Sequence, residues 1–525
     1  MKAFLRTGSA LLAVGLLVAG CGDAPEKKTD SASAADFPNS IDVSKEWDPE
    51  ATFDYAYSVF VTSWDPIHSN TGGDITYYNA VYDRLLNLAS DGTIEPVLVT
   101  EWEPADDNSS VTLTLREGVQ FSDGTPFDAE AVKFNLDRAR GEGSKIASEI
   151  AQITTVEVID PLTVKVSVSS GLGALLSALT ARSGMMVSPA AAQAGTLEQQ
   201  PVGAGPYAVT EILAGDRVTY AKTPGYWDPD AQRVASMVIY SIPDDQARIN
   251  ALNSGELDGA VLTPDQIDSA AGMDLQVVSE PSTAFIYFMV NTSKQPLDDV
   301  KVRKALNHAV DREGIANGLY QGHCTPQVQP WPKASVGYSE KVGDGLDVYD
   351  YNPEKAKELL ADAGVQDLKM ASVSVNIPTY VKVAEVVQQN LKDVGVDLTV
   401  KQAPTNEVIN DFVTNEVADA NINPYSGFSD PHGVIARNFM DDSLFNVGEP
   451  MPAEMLDLAI SASDPIDPAE RNAFYEQFMD QWMENPPYMM SICMQHSSAA
   501  YGPHVSGVSQ TLDGRADVRG VAISG

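Results

Sequence analysis

Positive charge is scarce in this chain. Only 34 Lys and Arg stand against 73 Asp and Glu in 525 residues, a formal net charge of −39. Nucleic acid is excluded as a partner, because its affinity comes mainly from Lys and Arg on phosphates. Cysteine is also scarce: Cys21, Cys324 and Cys493 are all there is. Long apolar runs are missing beyond the head of the chain, so no internal segment is expected to span a membrane, which needs about 20 residues. Catalytic signatures are missing too. The six histidines, His68, His308, His323, His432, His496 and His504, form no His-Glu-x-x-His or other close ligand pair. No Gly-x-Ser-x-Gly elbow and no Gly-Lys-Ser/Thr loop occurs, and "GLGALL", "GAGPYA" and "GDGLDV" lack the third glycine of a dinucleotide fingerprint. Neither a catalytic metal nor a cofactor is expected. An exported hydrolase would need a nucleophile–base pair, and none is evident. "FSDGTPF" reads as a turn at Asp123-Gly124.

What is present begins with an export signal. Lys2 and Arg6 precede a short apolar core at residues 10–19, too short for a membrane helix. The exit, Val18-Ala19-Gly20-Cys21, resembles the lipobox of bacterial lipoproteins. That resemblance implies acylation of Cys21 as the mature N-terminus. Residues 1–20 are then the signal peptide and residues 21–40 a polar, small-residue tether. The expected location is the outer face of the cell membrane, or its periplasmic side. An oxidising location permits a disulfide between Cys324 and Cys493. Sequence leaves open whether the two lie within reach.

Strand and helix periods alternate along the rest of the chain. "SVTLTLREG" alternates Val111, Leu113 and Leu115 with threonine, and "LTVKVSV" does the same with Val164, Val166 and Val168. "FDAEAVKFNLDRAR" puts Ala129, Val132, Leu136 and Ala139 on one helical face, with Asp128 at its start. "DDVKVRKALNHAV" repeats the pattern with Val302, Ala305, Leu306 and Ala309. "YNPEKAKELLADAG" offers Asn352 as cap, Pro353 in the first turn, buried Leu359, Leu360 and Ala363, and Gly364 as stop. A helix over 380–394 runs into the strand-like "VDLTV", and a last helix near 469–483 carries Phe474, Phe478 and Trp482. Such units predict an α/β fold with two or three domains.

The series of motifs is similar to the family 5 extracellular solute-binding proteins, receptors of oligopeptide, dipeptide and nickel ABC importers. The matching stretches are "SWDPIHSN", "VYDRLLNL", "EPVLVTEWEPADDN", "LTLREGVQFSDGTPFDAEAVKFNLDRA", "PVGAGPY" with "PGYW", "DDQARINALNSGELD", "FMVNTSKQPLDDVKVRKALNHAVDREGI", "YDYNPEKAKELLADAG" and "FYEQFMDQWMENPPYM". The resemblance implies a two-lobed type II periplasmic-binding fold of the cluster C type. Lobe I would comprise 41–80, 198–285 and 495–525, with an inserted subdomain at 81–197; lobe II would comprise 286–494. "VNT" (290–292) would lie where the chain crosses between the lobes and would act as hinge or latch. The implied function is capture of a solute, a peptide by default, and delivery to an ABC permease and ATPase. The receptor is expected to be a monomer, held to the membrane by its lipid and lacking enzymatic activity. A metal chelate, a carboxylated small molecule or an oligosaccharide are the alternative solutes, and a sensor lipoprotein is the alternative role.

The resemblance also points to cleft residues. Ser63 and Trp64 of "SWDP" sit on one strand-end loop. Arg182 lies where members that take anionic chelates or carboxylates have an arginine, and it could instead serve a structural ion pair. Asn376, Thr379 and Tyr380 lie between a strand and a helix, where Thr379 could alternatively cap. "NPYSGFSDPHG" (423–433) is the loop that, in peptide-binding members, carries a Trp and an ammonium-binding Asp. Aligned on Asp430-Pro431, that Asp falls at Gly427 and that Trp at Pro424. Tyr425, Phe428 and Asp430 remain as ligand contacts from this loop.

Overall fold

The computed structural model describes residues 37–525, apart from 45, 70, 90, 441, 442, 444, 449 and 450. The chain divides into two units, Met1–Ser33 and Ala34–Gly525, and all the described residues belong to the second. The expected signal peptide and Cys21 lie outside the described residues.

An eleven-stranded sheet organises this second unit. Its order is Val396–Ala403, Leu368–Val375, Ala420–Tyr425, Gln276–Val290, Met489–Tyr501, Gly259–Val261, Thr52–Tyr57, Ser236–Ser241, Arg217–Lys222 and Tyr207–Leu213, with Cys324–Pro326 paired to Met489–Tyr501. Two strands in the middle are long enough to serve both halves. Gln276–Val290 and Met489–Tyr501 run antiparallel, from Gln276 opposite Tyr501 to Met289 opposite Met489. Their register breaks between Pro281 and Phe285.

Separate apolar cores lie on the two sides of that break. One contains Phe53, Tyr55, Tyr77, Leu113, Val166, Tyr220 and Tyr501. The other contains Phe285, Phe288, Leu306, Val387, Phe478 and Trp482. The first core continues into a four-stranded antiparallel sheet, in the order Val99–Pro104, Ser110–Leu115, Thr163–Val168 and Ile153–Asp160. The helix Ala129–Ala139 covers that sheet. Asp128 caps it by accepting the Ala131 N–H at 3.0 Å, and Ala129, Val132, Leu136 and Ala139 are buried as their spacing requires.

The helix Pro353–Asp362 follows its expected grammar. Asn352 accepts the Lys355 N–H at 3.0 Å, and Gly364 follows with φ +71°. Leu360 is buried, whereas Leu359 and Ala363 are half-buried.

One expectation is corrected. "VNT" lies at the far end of the strand Gln276–Val290, inside lobe II. Asn291 is fully buried, its N–H donating to the Asp419 carbonyl at 2.9 Å and its side chain to Glu416 at 3.1 Å. The strand passes from the first core to the second at the register break, where three residues, Ser282, Thr283 and Ala284, leave the ladder. Beside it the structure joins Cys324 to Cys493, with Cα atoms 5.5 Å apart.

Candidate functional site

Hydrogen bonds hold the residues at the register break. Ser282 donates to the Gln495 carbonyl at 2.9 Å, and the Thr283 N–H donates to Leu512 O at 3.1 Å. Gln495, on the second crossing strand, extends its amide to the Tyr380 hydroxyl at 3.4 Å. Tyr380 opens the helix Pro378–Asp393 of lobe II. Burial raises its hydroxyl pKa, Gln495 opposes that shift, and Tyr57 of lobe I adds to it. The phenol therefore stays neutral and keeps a proton to donate.

Asn376 and Thr379, beside Tyr380, are exposed. Thr379 makes no helix cap; Ile377 occupies that position and is 46 % exposed. On the lobe I side, Val59 follows the strand Thr52–Tyr57 and is 47 % exposed. Exposed β-branched residues thus occupy strand-end loops on both lobes, the kind of surface that apolar parts of a solute can cover.

The remaining expected residues are already engaged by the protein. Ser63 is half-buried and donates to Glu198 at 2.6 Å. Trp64 is 3 % exposed and belongs to the lobe I core, edge-on to Tyr77. Its N–H donates to Glu198 at 2.8 Å, and its carbonyl accepts from Tyr82 at 2.6 Å. Arg182 is held by Glu149 at 2.6 Å and by the Ser69 carbonyl at 3.0 Å, with 17 % and 14 % of the two paired side chains exposed. The structural alternative therefore describes Arg182 as it stands.

The loop 423–433 is also turned inward. Tyr425 stacks on Phe285 at 4.8 Å between ring centroids and meets Tyr287 edge-on at 6.0 Å. Its hydroxyl accepts from Asn438 at 2.8 Å, and burial pushes its pKa up to about 12. Phe428 lies 6.1 Å from Tyr425 and folds over the first turn of the helix Pro431–Asn438. A Cβ at Gly433 would come within 2.6 Å of its ring.

Asp430 is inside the protein, 6 % exposed, and bidentate with Arg471 at 2.7 and 2.9 Å. Burial alone would raise its pKa; the charge and hydrogen bonds of Arg471 more than offset that and leave it below the ordinary carboxylate range. Asp430 also caps the helix through the His432 N–H at 2.9 Å. Gly427 has φ +67°, and a Cβ there would lie 2.2 Å from the Thr283 carbonyl. No side chain fits at that position, aspartate included.

Of the nine residues expected in the cleft, Asn376, Thr379 and Tyr380 face open space or the crossing. Ser63, Trp64, Arg182, Tyr425 and Asp430 serve the fold, and Phe428 is intermediate. The structure adds Tyr57, Ser282, Thr283 and Gln495 to the surroundings of the register break, with Ser282 and Thr283 themselves buried. Their position follows from a register break that no local motif encodes. Among the described residues, no group of three or more His, Cys, Asp and Glu could hold a metal ion, and no helix is long and apolar enough to cross a membrane.

A family model described as "Bacterial extracellular solute-binding proteins, family 5 Middle" matches residues 93–443. The glutathione-binding protein GsiB of Shigella dysenteriae is 29% identical over 445 residues, spanning 81% of this chain and 86% of the relative. Among solved structures, AgaA of A. tumefaciens R10 in complex with agropinic acid superposes with a TM-score of 0.78 at 23% identity, covering 90% of this chain and 99% of that one. DppA of Helicobacter pylori in complex with the peptide STSA superposes with a TM-score of 0.76 at 20% identity, covering 91% and 99%.

Proposed function

The chain belongs to the bacterial extracellular solute-binding proteins of family 5, which deliver a solute to an ABC importer, and from that premise we propose that its solute is a small peptide or peptide-like molecule recognised without its free N-terminus. The protein is a transport receptor and not an enzyme. The observation that carries the proposal is the buried pair Asp430–Arg471. A carboxylate already neutralised by a bidentate guanidinium has little left to offer an ammonium group. Gly427, where an aspartate would otherwise stand, has no room for one.

Recognition then falls to neutral groups: the Tyr380 phenol, the Gln495 amide, the exposed Asn376 and Thr379, and the apolar surfaces of Val59 and Ile377. Peptide backbones suit such a set, because their amides exchange hydrogen bonds with neutral donors and acceptors once water is excluded. Similar proteins bind solutes as different as glutathione and agropinic acid. The carboxylated reading is the weaker one here, because the Arg182 guanidinium is committed to Glu149.

Calorimetric titration with glutathione and with di- to pentapeptides, each free and N-acetylated, tests the proposal. Acetylation should change affinity less than threefold. A charged hydrogen bond is worth about 1.5–3 kcal/mol, so loss of an ammonium anchor would weaken binding by roughly ten- to a hundredfold. That outcome would refute the proposal.

The lipid anchor on Cys21 is a second part of the same reading. Acylation at the cysteine supplies the multiple chains that stable membrane attachment needs. Mass spectrometry of the membrane-extracted N-terminus should find diacylated Cys21, and an unmodified terminus would exclude it.

A further inference from the structure

The inserted subdomain and lobe II meet at one acidic residue. Asp464 follows the helix Ala453–Ser463 of lobe II. Its Oδ1 accepts the Gly171 N–H at 3.1 Å, and its Oδ2 accepts from the Asn108 amide at 3.4 Å. Its main-chain carbonyl accepts the Gly173 N–H at 3.1 Å. Gly171 starts the helix Leu172–Ala178 of the subdomain and has no side chain with which to satisfy the first-turn amides. Asp464 satisfies two of these N–H groups from the other lobe. At the far end of the same helix, Ser429 donates to the Ser177 carbonyl at 3.2 Å.

The fit is close enough to dictate glycine. A Cβ at Gly173 would lie 2.0 Å from the Pro465 carbonyl oxygen. A second approach occurs at Gly92, where a Cβ would lie 2.5 Å from the Ala334 carbonyl. The two glycines of "GLGALL", which fail as a nucleotide fingerprint, thus permit contact between the lobes.

Electrostatics give Asp464 a preference for this contact. It sits at the C-terminal end of its own helix, where a carboxylate meets the negative end of the dipole. Across the gap it meets the positive end of another helix. With the lobes apart it is badly placed; with the lobes together it is well placed.

We propose that Asp464 is the latch that holds the lobes closed. It acts on the solute only through lobe position, so it is a positioning residue. The proposal rests on family membership and on hinge closure, not on the class of solute.

Small-angle X-ray scattering of the purified chain tests it, with circular dichroism and thermal melting alongside. Asp464→Ala should raise the radius of gyration, and Asp464→Asn, which keeps one acceptor oxygen, should fall between it and the parent. Gly173→Ala attacks the contact from the other lobe and should also open the protein, although alanine favours its helix. Circular dichroism and thermal melting establish that each variant is folded at the temperature of the scattering measurement. Scattering identical to the parent in either folded variant overturns the proposal. Should Asp464→Ala fail to fold, Gly173→Ala decides the matter by its scattering.

Discussion

Replacing Asp430 by alanine leaves the Arg471 guanidinium inside lobe II without its counter-charge. The Arg471 side chain is 4 % exposed and that of Asp430 7 %, so water can compensate little. Arg471 would keep its 2.8 Å bond to the Ala462 carbonyl but lose both bonds to the carboxylate. Removing one partner of a buried pair costs about 3–5 kcal/mol. For a cooperative unit of 150–250 residues, about 2–4 °C of melting temperature goes with each kcal/mol, so the transition that unfolds the core around Arg471 should fall by roughly 6–20 °C. Differential scanning calorimetry reads this directly. The double variant Asp430→Leu/Arg471→Met should recover much of the loss, since it leaves no orphan charge. The pH dependence has a definite sign. The folded carboxyl is held below its unfolded value of about 3.9, so its contribution is present above that value and disappears as pH falls through the folded pKa. The gap between parent and Asp430→Ala should therefore be full at pH 7 and narrow below about pH 4. A variant that melts within about 2 °C of the parent at pH 7 would refute the reasoning, given the shift expected for a buried pair.

Other residues give further tests. His496 is held at about 4 by burial and by neighbouring His323. Its stability contribution is complete above the unfolded value of about 6.5 and is lost as pH falls toward 4, so urea denaturation of His496→Gln should lack about 3 kcal/mol of acid sensitivity between those limits; an unchanged pH profile would contradict it. Arg182→Met should lower the melting temperature while changing calorimetric affinity for the best peptide less than threefold, because its partners Glu149 and Ser69 belong to the fold; a selective loss of affinity would return Arg182 to the cleft. Gly427→Ala should cost at least about 1 kcal/mol more than Gly364→Ala, because both have positive φ but only Gly427 faces a carbonyl at 2.2 Å; equal losses in denaturant titration would show that the contact carries no strain.

Local grammar was legible where a single element decides it. Asp128 and Asn352 cap the helices that they precede, and Val302, Ala305, Leu306 and Ala309 are buried together because their spacing puts them on one face. The cleft was far less legible. Asp430 and Arg182 looked available because their partners, Arg471 and Glu149, stand 41 and 33 residues away. Among 73 acids, nothing local selects Glu149 for Arg182. Trp64 was expected in the cleft because an aromatic on a strand-end loop can face either way, and only the packing of Tyr77 and Tyr78 turns it inward. The register break was hidden for a related reason. A strand of 15 residues contains its own crossing point, and only pairing with the distant strand Met489–Tyr501 shows where the ladder breaks.

That distant pairing also orders events during synthesis and export. Met489–Tyr501 lies between Gln276–Val290 and Gly259–Val261 in the sheet, yet it is made some 200 residues after the strand that it pairs with. Until it arrives, no ladder joins the two halves of the sheet, and Gln276–Val290 presents an open, strongly apolar edge for some 200 residues of further synthesis. Such an edge invites pairing with other chains. A chain cut short before residue 489 should therefore aggregate instead of yielding a smaller receptor, and export must keep the nascent protein unfolded until Met489–Tyr501 can reach the middle of the sheet.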